Sequence, residues 1–427
     1  MAMNDSRPLV GEYGASPEGA PRIAGICALI AVSLVMGLVV GVLVSLLLRV
    51  MNIGVTFMWD TLPRAVGAWW LPLLVCPAGG ALIGYVSKRT HAAPQELSEV
   101  FARVKSEGGY TLERPFATVA LFLLPLMFGG SIGPEAGLTG IIAALVTWIG
   151  DSLRRAGLGA KSLADVTVSA TLTAVFGAPF AGIVAAREAM SGEPNPRLFT
   201  FRRVVKVVLY VAAAGGAFLG LWLASLMLGQ MGGLPRFDSF AFDVAQLPWA
   251  LLFVVVGYAL GVESHLATRL AHRVGAHAEE RPVLFAALCG LVLGALYLVL
   301  PLTLFSGEEQ CREIAQTWVG LPACVLAATA VLKCAATPLC IGAGWRGGTI
   351  FPNIFTGVVA GFALAALTGV DPLFAVTATA SAFIGATTRK PLLAVCLLLL
   401  CFPLQSLPLV VVAALLGAKI PLPLRAE

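Results

Sequence analysis

The chain has 427 residues, of which 58% are hydrophobic and only 12% carry a charged side chain, and its net charge is +5. Ordinary soluble domains carry about 25% charged residues, so this composition excludes a typical water-soluble enzyme and predicts an integral membrane protein. The basic residues cluster in connections between apolar runs, as at Lys88/Arg89 and Arg202/Arg203. We therefore expect a lipid bilayer as the surroundings and no nucleic-acid partner.

In chain order, residues 1–22 form a polar tail, and the apolar run from Ile23 to Val50 is too long for a signal-peptide core, which predicts a retained first span. Several later runs have only 13 to 17 residues, whereas a spanning helix needs about 20. Short runs predict broken or re-entrant helices, which occur where protein or a water-filled cavity satisfies the backbone. The further apolar runs are 70–86, 116–128, 138–150, 164–186, 204–229, 247–262, 283–305, 318–344, 350–368, 373–387 and 391–417.

The nine cysteines are scattered, and most lie inside apolar runs. Their spacing matches no metal-binding pattern, so buried free thiols are the expected state. The sequence also lacks His-Glu-x-x-His, Gly-x-Ser-x-Gly and Cys-x-x-Cys motifs. We therefore predict neither an enzyme nor a bound metal or cofactor.

Two stretches of the chain resemble each other. "GGSIGPEAGLTG" at 129–140 and "GGTIFPNIFTGV" at 347–358 share Gly-Gly, a hydroxyl residue, Ile and Pro, and "GAPFAGIV" at 177–184 pairs more loosely with "RKPLLAVC" at 389–396. Weakly similar halves are typical of transporters built from structural repeats, whose sites lie where discontinuous helices meet. This predicts a first transmembrane repeat at 23–200 and a second at 201–427.

The chemistry of these turns points to anions. Glycines allow a tight turn, and proline suits the first turn of a helix because it lacks a donor that would otherwise have no partner. The free N–H groups and the positive end of the helix dipole then favour a negative charge. Two such ends aimed at one point form an anion site that needs no buried Lys or Arg, and weak binding allows fast release.

These motifs resemble those of the CLC family of chloride channels and proton/chloride exchangers. "GSIGP" (130–134) is similar to its Gly-Arg-Glu-Gly-Pro motif, "GGTIFP" (347–352) to Gly-Gly-x-Phe-x-Pro, and "FGAPFAGIVAAREAM" (176–190) to the helix that ends in paired glutamates. "THAAP" (90–94) is a poorer match to Gly-Ser-Gly-Ile-Pro. Within that family the chain resembles a divergent bacterial branch of ion-transport proteins.

The resemblance implies an all-α polytopic membrane protein with two inverted repeats and many tilted and broken helices. It also implies a homodimer with one pathway in each subunit. A multi-pass protein of the bacterial inner membrane is expected, without the cytoplasmic CBS domains that some family members carry. The anion would be held by backbone amides at Ile132, Gly133, Thr349 and Ile350.

The departures from the family pattern bear on mechanism. Ile132 stands where the family has its gating glutamate, and Ala189 where it has the inner proton-transfer glutamate. Neither side chain can carry a proton, so the sequence predicts passive movement of chloride or another small anion without proton coupling. The alternative is a proton-coupled anion transporter that uses Glu135, Glu188 or His91.

Four further residues keep two interpretations each. Glu135 is either a helix-capping carboxylate or a group that has taken over gating or proton transfer. His91 aligns with the family's anion-site serine and is either a pore donor or pH sensor, or an exposed histidine beside a basic pair. Lys333 and Arg346 either supply positive potential to the anion pathway or anchor the chain at the membrane interface.

Overall fold

A computed structural model describes residues 23–92, 99–100, 103, 110–155, 201–229, 236–238, 240 and 243–422. These ranges fold into α-helices, joined by turns, short 3-10 segments and a π-helical segment at Phe57–Thr61. The helices are α1 Ile23–Thr56, α2 Leu62–Val66, α3 Pro72–Thr90, α4 Pro115–Met127, α5 Glu135–Arg155, α6 Phe201–Leu228, α7 Leu247–Glu280, α8 Pro282–Val299, α9 Glu308–Thr317, α10 Ala323–Gly342, α11 Ile350–Thr368, α12 Pro372–Thr388, α13 Pro391–Leu398 and α14 Leu407–Lys419.

The helices vary in length as the apolar runs predict. Within the described ranges, five helical segments are long and apolar enough to cross a membrane. Others, such as α4 and α12, have only 13 and 17 residues. The run 391–417 is broken into α13 and α14, with a 3-10 turn at Leu404–Ser406. The predicted run 164–186 lies outside the described residues.

Large apolar side chains cover much of the outer surface. Met227 is 90% exposed, Leu251 69%, Val292 59% and Leu367 69%. In water such a surface would be an aggregation hazard, whereas lipid solvates it without cost. The protein is therefore an integral membrane protein.

Small residues allow neighbouring helices to approach closely. A Cβ added at Gly216 of α6 would lie 2.0 Å from the carbonyl oxygen of Leu34 in α1. Between α3 and α8, the same test places Gly80 against Ala286 and Gly84 against Pro282, so these two helices run antiparallel. Close backbone packing of this kind stabilises helices in lipid, where the hydrophobic effect between them is absent.

The antiparallel pair α3/α8 defines two faces of the molecule. The end of α3, followed by His91, lies beside the start of α8, because Gly84 contacts Pro282. The end of α8 lies beside the start of α3, because Gly294 contacts Pro72. Residues that follow α8 are thus on the opposite face from His91.

Helix α11 lies at the centre of the second half. Every residue from Phe351 to Ala363 is buried. It packs on α12 in antiparallel fashion, with Gly357 against Ala380 and Gly361 against Val376. A helix this enclosed begins inside the protein, so its first N–H groups need partners there.

Candidate anion site and gate

The two Gly-Gly turns that the sequence comparison singled out meet in the structure. The amide of Gly133 donates to the carbonyl of Gly348 over 2.7 Å, and the amide of Gly348 donates to the carbonyl of Gly133 over 2.7 Å. This reciprocal pair is an isolated antiparallel bridge between the turn before α5 and the turn before α11. It holds the N-termini of the two helices against each other.

The side chain of Glu135 extends from the start of α5 to the start of α11. Its Oε1 accepts hydrogen bonds from the amides of Ile350, at 2.5 Å, and Phe351, at 3.3 Å. The residue is only 1% exposed. The carboxylate therefore occupies the position at which the N-terminus of α11 would hold an anion.

The other carboxylate oxygen is different. Glu135 Oε2 is buried and has no hydrogen-bond partner among the described residues. A buried oxygen without a partner is costly for an ionised carboxyl group. It can be satisfied by a water molecule or by a proton on the oxygen itself.

Two glycines make room for this carboxylate. A Cβ on Gly133 would lie 2.0 Å from Glu135 Oε2, and a Cβ on Gly348 would lie 2.1 Å from Glu135 Cδ. Non-bonded atoms do not approach this closely, so any other residue at either position would displace the side chain. The glycines of both motifs thus leave the space that the Glu135 carboxylate occupies, which we call the seat of Glu135.

The four predicted anion-binding amides have different surroundings. Ile350 donates to Glu135, and Thr349 precedes it as the N-cap of α11. Ile132 is fully buried in the core next to the bridge. The expectation for Gly133 needs correction, because its N–H group is already bonded to Gly348 and is not free for an anion in this arrangement.

Glu135 lies where a helix-capping carboxylate is expected, and its role in gating or proton transfer stays a prediction. The residue lies in the first turn of α5, where the helix dipole stabilises a carboxylate. It also caps α11, which belongs to the other half of the chain. The local sequence predicts only that Glu135 caps its own helix, α5. The structure adds that its side chain also accepts hydrogen bonds from the first amides of α11.

His91 lies at the end of α3, on the exposed surface. It is the C-cap of that helix and has a left-handed backbone with φ of 49°. Its amide donates to the carbonyl of Ser87 over 2.8 Å. The structure describes no contact between His91 and Glu135, so its role in the pathway stays a prediction.

Lys333 and Arg346 differ in surroundings. Lys333 is fully buried, and its Nζ donates to the carbonyls of Thr303, Leu304 and Phe305 at 3.1, 2.9 and 2.9 Å. All three of its donors are used, so it does not offer a free N–H group to an anion, although its charge remains inside the protein. Arg346 is exposed, next to the buried Trp345.

Glu188 and Ala189 lie outside the described residues, so the structure gives no geometry for them. Several contacts near the site were not predicted from the sequence. Phe351 provides a second amide to Glu135, and the hydroxyls of Ser131 and Thr337 lie 3.4 Å apart. No local pattern marks them, because each contact joins segments more than 200 residues apart.

Comparison with known proteins places these motifs in a family. Residues 79–421 match the family model described as "Voltage gated chloride channel". The chain is 26% identical over 362 residues to a protein of Salmonella newport named "Putative ion-transport protein YfeO", with 81% of this chain and 82% of that protein covered. The protein of that name from Salmonella paratyphi A is 25% identical over the same length.

Solved structures share the fold. A "CLC-type fluoride/proton antiporter" matches with a TM-score of 0.71 and 20% identity, and 92% of this chain and 95% of that chain are covered. A "slow cyanobacterial Cl-/H+ antiporter" matches with a TM-score of 0.71 and 19% identity, with 90% and 93% covered. At this identity the similarity shows the fold alone. Together with the family match, it shows that the chain belongs to the CLC family of voltage gated chloride channels and related anion transport proteins.

Proposed function

We propose that this protein conducts a small inorganic anion, chloride by default, past the N-terminus of α11, and that the carboxylate of Glu135 is the gate. The observation that carries the proposal is the pair of hydrogen bonds from Ile350 and Phe351 to Glu135 Oε1. These amides belong to the turn for which the sequence predicted anion binding. A carboxylate that holds them competes directly with a permeant anion.

Protonation provides a way to open such a gate. An ionised carboxylate accepts charge-assisted hydrogen bonds from the helix N-terminus, whereas a neutral carboxyl group is a weaker acceptor. A proton on Oε2, which has no partner among the described residues, would weaken the hold of Oε1 on Ile350 and Phe351. An anion could then accept the hydrogen bonds of these two amides.

Proton coupling is a separate matter from gating. Stoichiometric exchange needs a proton route to the second side of the membrane, and the family's two carriers are Ile132 and Ala189 in this chain. We therefore propose passive anion movement with a proton-sensitive gate. The second candidate is proton-coupled exchange that uses Glu135, Glu188 or His91, and it is favoured by the two antiporters among the structural relatives.

The proposal includes the setting of the pathway. We place the protein in the inner membrane of a bacterium, in line with its Salmonella relatives, as a homodimer with one pathway per subunit. His91 would contribute a hydrogen-bond donor at the other end of the pathway. Arg346 and Lys333 would contribute positive potential, since neither needs to contact the ion to do so.

Chloride efflux from proteoliposomes tests the function. External chloride and pH are recorded together while a potassium ionophore clamps the voltage. We expect efflux that increases as pH falls, without stoichiometric proton uptake. The Glu135→Gln variant should lose the pH dependence, and Glu309→Gln, whose side chain is 79% exposed, should keep it.

Two results would contradict the proposal in different ways. A fixed ratio of protons to chloride would establish the exchange mechanism. If the Glu135→Gln variant keeps the pH profile of the original protein, Glu135 is not the gate. If chloride, fluoride and nitrate all fail to pass, the transport function itself is wrong.

A further inference from the structure

Two large apolar side chains lie where the two Gly-Gly turns meet. Ile132 belongs to the turn before α5, and Trp345 precedes the turn before α11. Both side chains are fully buried and belong to one hydrophobic core cluster. The two turns therefore meet through side chains as well as through the reciprocal hydrogen bonds of Gly133 and Gly348.

Ile132 packs directly on the backbone of the second turn. A Cβ added at Gly347 would lie 2.5 Å from Ile132 Cδ1, 2.8 Å from its Cβ and 2.9 Å from its Cγ1. No side chain fits between them, so the isoleucine covers the glycine. The next residue, Gly348, bonds to Gly133 and lines the seat of Glu135. The contact of Ile132 is therefore adjacent to both the bridge and the gate.

Trp345 makes the reciprocal contact from the second turn to the first. A Cβ added at Gly130 would lie 3.0 Å from Trp345 Cε3 and 3.3 Å from Ile132 Cγ1. The tryptophan is itself anchored, because its Nε1 donates to the carbonyl of Ala286 in α8 over 2.8 Å. Its amide donates to the carbonyl of Cys340 in α10 over 2.9 Å. Each turn thus contributes one large side chain that lies over a glycine of the other turn.

We propose that Ile132 is a positioning residue of the gate, whose side chain sets how firmly the N-terminus of α11 holds Glu135. The inference rests on the proposed function, because it presupposes that Glu135 gates the anion. The amides of Ile350 and Phe351, which donate to Glu135, follow Gly348 by two and three residues. A shift of the second turn therefore moves these donors. The alkyl side chain of Ile132 acts through them and forms no hydrogen bond of its own.

The direction of the effect follows from the bridge. Its two N–H···O distances are 2.7 Å, at the short end of the range for such bonds, so the turns cannot approach further when the Ile132 side chain is shortened. Loss of packing then loosens the second turn and the amides that follow it. Hydrogen bonds from these amides favour the ionised carboxylate, so weaker bonds let the gate open at higher pH.

Other charged groups face this site from neighbouring helices. Glu308, at the start of α9, acts electrostatically on Glu135, and Lys333 of α10 faces the ring of Phe355 in α11 at 5.2 Å from its centroid. Both groups are unchanged when residue 132 or 347 is substituted. A shift in the pH profile of such a variant therefore reports the hold on Glu135.

The test measures the pH profile of chloride flux through proteoliposomes, together with the Tm of each variant in detergent. In Ile132→Ala, which keeps the backbone amide, we expect the midpoint to rise by about one pH unit, equivalent to a tenfold change in the gating equilibrium. Ile132→Val loses one methyl group and should shift less, in the same direction. Gly347→Ala disturbs the same contact from the other side and should also raise the midpoint.

Ile384→Ala is the matched control. Ile384 of α12 is 1% exposed and belongs to a different core cluster from Ile132. Its truncation removes the same volume of buried side chain away from the bridge. We expect a lower Tm and an unchanged midpoint.

The outcomes separate the two proposals. If Ile132→Ala keeps the original midpoint, or lowers it, while Glu135→Gln is pH-independent, the inference about Ile132 is wrong and the gate stands. If Ile384→Ala shifts the midpoint as far as Ile132→Ala, Ile132 has only a structural role and the inference is also wrong. If Glu135→Gln keeps the original pH profile, both proposals fail. If Ile132→Ala does not elute as a single peak in size-exclusion chromatography, Ile132→Val and Gly347→Ala decide by the same criteria.

Discussion

The first residue of one helix caps the first turn of another: Glu135, which begins α5, accepts the amide hydrogen of Ile350, which begins α11, over 2.5 Å. The two residues are 215 positions apart. Their contact joins the two halves of the chain at the point where both helix dipoles present their positive ends. An anion that passes this point must share or displace that contact.

The seat of Glu135 can be closed without changing the glutamate. In Gly348→Ala the new Cβ would lie 2.1 Å from Glu135 Cδ, so we expect the carboxylate to leave the amides of Ile350 and Phe351. Chloride flux at neutral pH should rise and become insensitive to pH, as in Glu135→Gln. The control is Gly320→Ala, where a Cβ meets no atom within 4 Å. A Gly348→Ala variant with the original pH profile would show that the seat tolerates the methyl group.

Lys333 is predicted to stabilise the turn at 303–305 as well as to contribute charge. Lys333→Met leaves two buried carbonyls and one partly buried carbonyl without their donor, which should lower the free energy of unfolding by about 2 kcal/mol or more. Thermal unfolding in detergent measures the change. Lys390→Met, at an exposed position, is the matched control. Equal Tm values for the two variants would show that Lys333 does not stabilise the turn at 303–305.

Alanine substitutions at two adjacent glycines of α6 should have different effects on stability. Gly216→Ala places a Cβ 2.0 Å from the carbonyl oxygen of Leu34 and must push α1 away, at a cost of about 1–3 kcal/mol. Gly215→Ala meets no atom within 4 Å and should leave stability unchanged or raise it by about 0.5–1 kcal/mol. Thermal unfolding of the pair checks the α1/α6 contact. Equal destabilisation of both would mean that these helices pack differently.

His91 can be tested without disturbing the helix that it ends. Its left-handed φ of 49° is a conformation that glycine adopts freely, so His91→Gly should keep or raise stability by about 0.5–1 kcal/mol. If the imidazole donates to the anion, the same variant should reduce chloride flux by about tenfold, the loss of one net hydrogen bond of about 1.4 kcal/mol. His277→Gly is unsuitable as a control because it lies inside α7; His277→Gln serves instead. Unchanged flux in His91→Gly would remove His91 from the pathway.

Much of the site was visible in the sequence because its parts are local patterns. Gly-Gly turns before Pro134 and Pro352 predicted two helix starts, and both helices begin within two residues of those prolines. The short apolar runs likewise predicted broken helices, because each run can be compared with the thickness of the bilayer without knowledge of the rest of the fold. The repeat at 129–140 and 347–358 also located the two turns that meet.

The sequence by itself determined that this protein lies in lipid, the positions of most of the described helices and the two turns that form the site; α2 and α9 lie outside the apolar runs. Hydropathy, glycine and proline act over a few residues, so they can be interpreted without the fold. Only the tertiary structure decided that Gly133 uses its amide on Gly348, that Lys333 is enclosed by carbonyls, and that Glu135 holds the amides of α11. Each of these is a choice of partner between distant segments, and hydrogen-bond partners are set by packing, which no local pattern encodes.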